Sequence, residues 1–229
     1  MIKYAFMKVG AGTTDYARYV FYNSVKFQVG EYVFSFQDWE NGVLRGNRKA
    51  PYALGLQFDK KDPRLALIVK EPDCRLHFGL NCGARSCPPV SVYSVESLEE
   101  DLAMAAHAFC EDDHSVFLDR KKKELQLSMI FSWYRVDFAQ NSKELPKAIL
   151  KYLRRTKYQD LDRMIDAGVK IKVAFKTYDW ASNATNVKPF QSSDLKLETL
   201  SFKGRRGSMS SKEKPIGSGT EQPETVQCT

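Results

Sequence analysis

Cysteine and histidine crowd into one run of this chain, Asp73-Cys74-Arg75-Leu76-His77-Phe78-Gly79-Leu80-Asn81-Cys82-Gly83-Ala84-Arg85-Ser86-Cys87-Pro88-Pro89. The run holds three of the five cysteines and one of the three histidines. Thiolate and imidazole are ligands of tetrahedral zinc, and together they are the nucleophile and base of cysteine enzymes. The spacing Cys74-x2-His77-x4-Cys82-x4-Cys87 is that of a zinc knuckle with the second and third ligand types exchanged. Against a metal stands the local pattern. Leu76, Phe78 and Leu80 alternate with His77, Gly79 and Asn81, which predicts a strand over 75–81. On a strand His77 and Cys82 point to opposite faces, as do Cys74 and His77, so no metal and no other cofactor are expected.

The second chemistry is covalent. Cys87 lies in a Gly/Pro turn beside Pro88-Pro89, with the cation Arg85 close by, a setting that can lower a thiol pKa. His77 would then be the base and Asn81, on the same strand face, the orienting amide, as in cysteine-hydrolase triads. Asp179, in the late Tyr178-Asp179-Trp180, is an alternative orienter. Cys82 follows the parity of the apolar residues and is expected in the core. A third chemistry is thiol redox between Cys82 and Cys87. The competing reading is structural: His77 as a hydrogen-bonded, half-buried side chain, the cysteines as small hydrophobes, and Gly83 with Pro88-Pro89 as purely conformational residues. The function adopted is a binding or interaction module, with a Cys/His hydrolase or transferase as the alternative.

The elements that must hold these residues are legible in part. Residues 1–30 are poorly patterned, apart from a helix end at Gly10. Tyr32–Phe36 alternates like a strand, and 37–47 reads as a short helix stopped by glycine. Asp62-Pro63-Arg64-Leu65-Ala66-Leu67 is echoed by Asp73-Cys74-Arg75-Leu76-His77-Phe78, too briefly for a repeat fold. A helix runs from Ser94 or Ser97 to about Cys110, with acidic residues at its positive end and His107 at the edge of its apolar stripe; His114 follows in a loop. Residues 116–127 read as a hairpin whose tip is Arg120-Lys121-Lys122-Lys123. Helices follow over 129–138, 145–153 (Pro146 in the first turn) and 158–167 (closed by Gly168), then a strand over 169–175. Interleaving without regular strand-helix alternation predicts a single α+β domain, several short helices around a small sheet.

The cysteine-rich run resembles the signature of the domain of unknown function 547 family, Asp-Pro-Arg-Ile-His-Phe-Ala-Leu-Asn-Cys-Gly-Ala-x-Ser-Cys-Pro-Pro. Gln37-Asp38-Trp39-Glu40-Asn41-Gly42-Val43-Leu44-Arg45 also resembles the family pattern Ser-Leu-x-Asp-Ile-Glu-x-Gly-Ile-Leu-Arg. The resemblance implies a fold unit but no settled reaction. The family normally has proline at position 74, which weighs further against a cysteine-based metal site. Its upstream segment Trp-Ile-Asn-x-Tyr-Asn-Ala-Leu is missing, so the N-terminus is expected to be incomplete. The expected organisation is 1–27 as a partial N-terminal helix and loop, 28–181 as the domain resembling the family, and 182–229 as a mostly disordered basic tail.

Composition narrows the function classes. The chain has 229 residues and a net charge of +7. The charge is spread widely, which makes a nucleic-acid face the poorer reading and a solvated surface the better one. No apolar run approaches the ~18 residues of a membrane span. An odd number of cysteines, three of the five clustered, and no leader-like start predict reduced thiols in the cytoplasm. The partner expected is an unidentified protein; the basic hairpin tip could meet acidic groups. Arg205-Arg206-Gly207-Ser208 carries the two upstream arginines that basophilic kinases read, so phosphorylation at Ser208 is a further expectation.

Overall fold

The computed structural model describes residues 2, 5, 6, 10, 12–51 and 53–183. The tail reading, including Ser208, lies beyond residue 183 and so outside the described residues. At the start, Gly10 (φ +89°) donates to the Phe6 carbonyl at 2.9 Å, the glycine stop expected there. Helix α1 (Asp15–Ser24) begins where the Thr14 hydroxyl accepts from the Ala17 N–H. Strands β1 (Lys26–Val29) and β2 (Tyr32–Ser35) form an antiparallel hairpin in which Phe27 pairs with Phe34. Neither α1 nor β1 was legible, because their apolar residues follow neither period cleanly.

At the end of β2 the chain turns into a wide π-helical segment, Asp38–Leu44. Its entry is locked reciprocally: Ser35 N–H donates to the Asp38 carboxylate (2.8 Å) and Asp38 N–H to the Ser35 hydroxyl (3.0 Å). Gly46 (φ +62°) ends it, as the sequence predicted. Gly42 is needed for a different reason. A Cβ there would stand 2.3 Å from the ring of Phe58, which is fully buried. Gly42→Ala is therefore expected to cost about 1–3 kcal/mol through overpacking. An unchanged denaturation midpoint would show that the Phe58 ring can move aside freely.

The two Asp-x-Arg copies take the same local form. In each, the aspartate accepts the arginine's own N–H (Asp62–Arg64 2.9 Å, Asp73–Arg75 2.8 Å) and also grips its guanidinium. Each starts a tight helical turn: a 3₁₀ turn over Pro63–Leu67 and α2 over Leu76–Gly79. The strand expected over 75–81 is thus a helical turn. The Asp73 side chain satisfies the Arg75 N–H, and the carbonyls of Asp73, Cys74 and Arg75 take the next three N–H groups. Turn chemistry overrode a short alternation. As a result His77 and Phe78, consecutive rather than alternate residues, are both buried.

Helix α3 (Leu98–Glu111) packs on α2. Strands β3 (Val116–Asp119) and β4 (Glu124–Leu127) are the expected hairpin, with an exposed basic tip. The helix expected over 129–138 is two turns, α4 (Ile130–Trp133) and α5 (Arg135–Phe138); 145–153 is α6 (Leu145–Ile149) with a 3₁₀ turn. Helix α7 (Arg155–Asp166) leads to β5 (Lys172–Phe175), which joins β4 in parallel and completes a mixed sheet in the order β3-β4-β5. The architecture is α+β, several short helices around small sheets. The main core gathers Phe78, Phe109, Phe131 and Phe138 with the buried faces of β3, β4 and α6. Two smaller clusters lie around Phe21 and Phe34. Among the described residues no helix is long and apolar enough to cross a membrane.

Candidate functional site

The signature run feeds two neighbouring arrangements. The first is a buried polar cluster. Asp137, on α5, accepts from Arg45 Nε at 2.6 Å and from Arg45 Nη2 at 3.1 Å. It also meets His77 Nε2 at 2.8 Å and the half-exposed Arg48 at 2.9 Å. Arg45 is only 1% exposed, and its remaining donors reach the Asn41 side chain and the Lys49 carbonyl. Its guanidinium lies 4.9 Å from the Tyr134 ring centre, and that ring stacks on His77 at 4.1 Å. The Tyr134 hydroxyl donates to the Glu40 carboxylate. Burial alone would raise the Asp137 pKa, but hydrogen bonds from His77 and Arg45 outweigh it and hold the carboxyl well below the usual carboxylate range. Burial, then the Glu40 charge, pushes the Tyr134 phenol far above its ordinary value, so it stays a donor.

The second arrangement is the loop 82–87. Gly83 (φ +89°) turns the backbone, and its missing Cβ makes room for the Phe6 ring. The turn brings the Cys82 and Cys87 Cα atoms to 6.3 Å, and the two sulfurs form a disulfide. This corrects the expectation of wholly reduced thiols and that of a core-packed Cys82, which is only partly buried. Tyr178 places its hydroxyl 3.1 Å from Cys87 Sγ and 3.3 Å from Cys82 Sγ. Trp133 and Trp180 hold its ring, each at 4.7 Å. The Tyr22 hydroxyl donates to the Cys82 carbonyl at 2.5 Å. Backbone bonds Arg85 to Ala181 and Asn183 to Gly83 tie the loop to the segment after β5.

The three sequence-derived site residues therefore have separate partners. His77 faces Asp137 on the inside; Cys87 pairs with Cys82; Asn81 braces the loop, donating to the Pro88 carbonyl (2.6 Å) and accepting the Gly83 N–H (2.9 Å). Asp179 does not orient His77. Its backbone carbonyl and N–H bond Ser86, and its carboxylate faces Arg85 at 3.8 Å. Cys87, but neither His77 nor Asn81, lines a groove of about 670 Å³ between the segment 85–93, α3 and the end of β5. Arg45, Asp137, Tyr134 and Tyr178 were missed. Only Arg45 carried a signal, as the last residue of the family-like pattern over 37–45. Among the described residues no cluster of metal-ligating side chains occurs.

Residues 1–110 match the family model described as Protein of unknown function, DUF547. No curated protein and no solved structure matches the chain. The matched stretch contributes Arg45, His77 and both cysteines of the disulfide, whereas Asp137, Tyr134 and Tyr178 come from beyond it.

Proposed function

For a chain that carries a DUF547 segment over residues 1–110, we propose a binding module that takes an extended stretch of a protein partner along the Cys87 groove. One observation carries the reading. The segment Ser91–Tyr93 borders the groove with its backbone N–H groups unpaired among the described residues, while Asn81 anchors the chain just before it at Pro88. An unpaired main chain beside a trough of mixed polar and apolar lining suits an extended polypeptide, whose own backbone supplies the matching donors and acceptors. Val92 (93% exposed) and Met104 line it and offer exposed apolar contacts. The rim mixes Arg85 and Lys176 with Asp101, Asp112 and Asp179, so it selects no strong charge of either sign. Against the hydrolase alternative weighs the engagement of His77 with Asp137 and of Cys87 with Cys82.

The test is a peptide-display selection on the full chain, followed by calorimetry of the enriched peptides. N-methylation of a pairing backbone position should weaken binding roughly three- to tenfold, the equivalent of one net hydrogen bond of ~1 kcal/mol. Val92→Pro, at a fully accessible position, should weaken it too while leaving the circular dichroism spectrum unchanged. Peptides that bind the proline variant as tightly as the wild type would sink the proposal.

A further inference from the structure

Cys82 and Cys87 are placed asymmetrically. Cys87 lines the groove, Cys82 does not, and Cys110 is sealed inside the core. Around the pair stand two hydrogen-bond donors aimed at sulfur. The Cys82 N–H points at Cys87 Sγ at 3.0 Å. The Tyr178 hydroxyl lies within reach of both sulfurs, and since neither sulfur of a disulfide bears a proton, the phenol must be the donor. Burial, and then the nearby Glu40 charge, holds the Tyr178 pKa far above its ordinary value, so the proton stays available. A disulfide serving only as a staple has no need of donors fixed in this way. They stabilise a thiolate, the species in which such a bond opens.

We propose that Cys82 and Cys87 are a thiol–disulfide exchange site, reached through the groove and open to a thiol-bearing substrate. A substrate thiolate attacks Cys87 Sγ; the new sulfur–sulfur bond forms as the Cys82–Cys87 bond breaks. The electron pair leaves on Cys82 Sγ, where the Tyr178 hydroxyl stabilises it before a proton arrives from solvent. A second substrate thiolate attacks the substrate sulfur of the mixed disulfide and releases Cys87 as a thiolate, held by the Cys82 N–H and Tyr178. Two substrate thiols are oxidised to one disulfide, and the cysteine pair is reduced to two thiols. The reverse sequence passes the oxidation on. This chemistry does not depend on polypeptide binding in the groove. A free small thiol and a cysteine within a polypeptide share it.

The experiment equilibrates the full chain over a series of reduced-to-oxidised glutathione ratios, followed by acid quenching, alkylation and peptide mapping. The pair should move reversibly between dithiol and disulfide, with buried Cys110 as an internal reference. Cys82→Ser should trap a mixed disulfide at Cys87. Tyr178→Phe should slow exchange by roughly three- to tenfold, because the leaving thiolate loses a donor. A second arm offers a cysteine-containing peptide in place of glutathione; faster trapping by the peptide assigns a polypeptide substrate, faster trapping by glutathione a small thiol. A wild-type pair that stays oxidised at every ratio, no mixed disulfide with either thiol, or exchange unchanged in Tyr178→Phe would each overturn the proposal. The wild-type titration decides even if a variant fails to fold.

Discussion

Asp137→Ala should destabilise the protein by about 3–5 kcal/mol, the usual cost of leaving a buried charge without its partner. The stranded group would be Arg45, which has almost no contact with water and relies on Asp137 for its two-pronged carboxylate contact. His77 would lose the same acceptor. Asp137→Asn keeps the shape and removes the charge, so it should fall between alanine and wild type. Denaturant unfolding at pH 7 measures all three, and a loss below ~1 kcal/mol for alanine would mean that water replaces the carboxylate. The same residue sets a pH dependence. The folded pKa of Asp137 is depressed, so its stabilising contribution is complete above the ordinary aspartate value of about 3.9 and is lost as pH falls through the folded value. Wild-type stability should therefore drop on going from about pH 4 towards pH 2, and the Asp137→Asn protein should lose less over the same interval. Parallel curves for the two proteins would assign acid unfolding to other carboxylates.

Phe78→Ala is the second large effect, with an expected loss of ~3–5 kcal/mol. The ring is 1% exposed and has four aromatic neighbours: Tyr152 at 5.2 Å, Phe109 at 5.3 Å, Phe138 at 5.6 Å and Phe131 at 5.8 Å. These rings come from four different elements, so the void has no single neighbour able to fill it. Phe78→Leu should recover a large part of the loss. The thermal midpoints of both variants test this. An alanine protein that melts like wild type would mean that the core collapses onto the space.

The comparison of His77 with Asp137 shows where sequence reading reaches its limit. His77 stood out by type, and its neighbours Leu76, Phe78 and Leu80 suggested a strand. The alternation was only a few residues long, too short to compete with an aspartate that caps the following turn. The capping pattern was itself visible, twice, as Asp62-Pro63-Arg64 and Asp73-Cys74-Arg75; its meaning lay in side-chain hydrogen bonds rather than hydrophobic period. Asp137, by contrast, gave no local sign. It lies 60 residues from His77 and 92 from Arg45 along the chain, and a lone carboxylate on a short helix ordinarily faces water.

What the chain determined by itself was everything set by neighbours in sequence. That includes the α+β mixture of short elements, the hairpin over 116–127, the helix ending near residue 110, the glycine stops, and the family likeness of the cysteine-rich run. Local hydrogen bonding and side-chain period are enough for these, because the competing conformations differ within a few residues. The tertiary structure decided which side chains meet. It turned His77 inward to Asp137, set Cys87 against Cys82 rather than His77, and brought Tyr178 from the far end of the fold to the two sulfurs. Such pairings depend on the packing of elements distant along the chain. A buried arginine is stable only when that packing delivers a carboxylate to it, and no window of local sequence contains both partners.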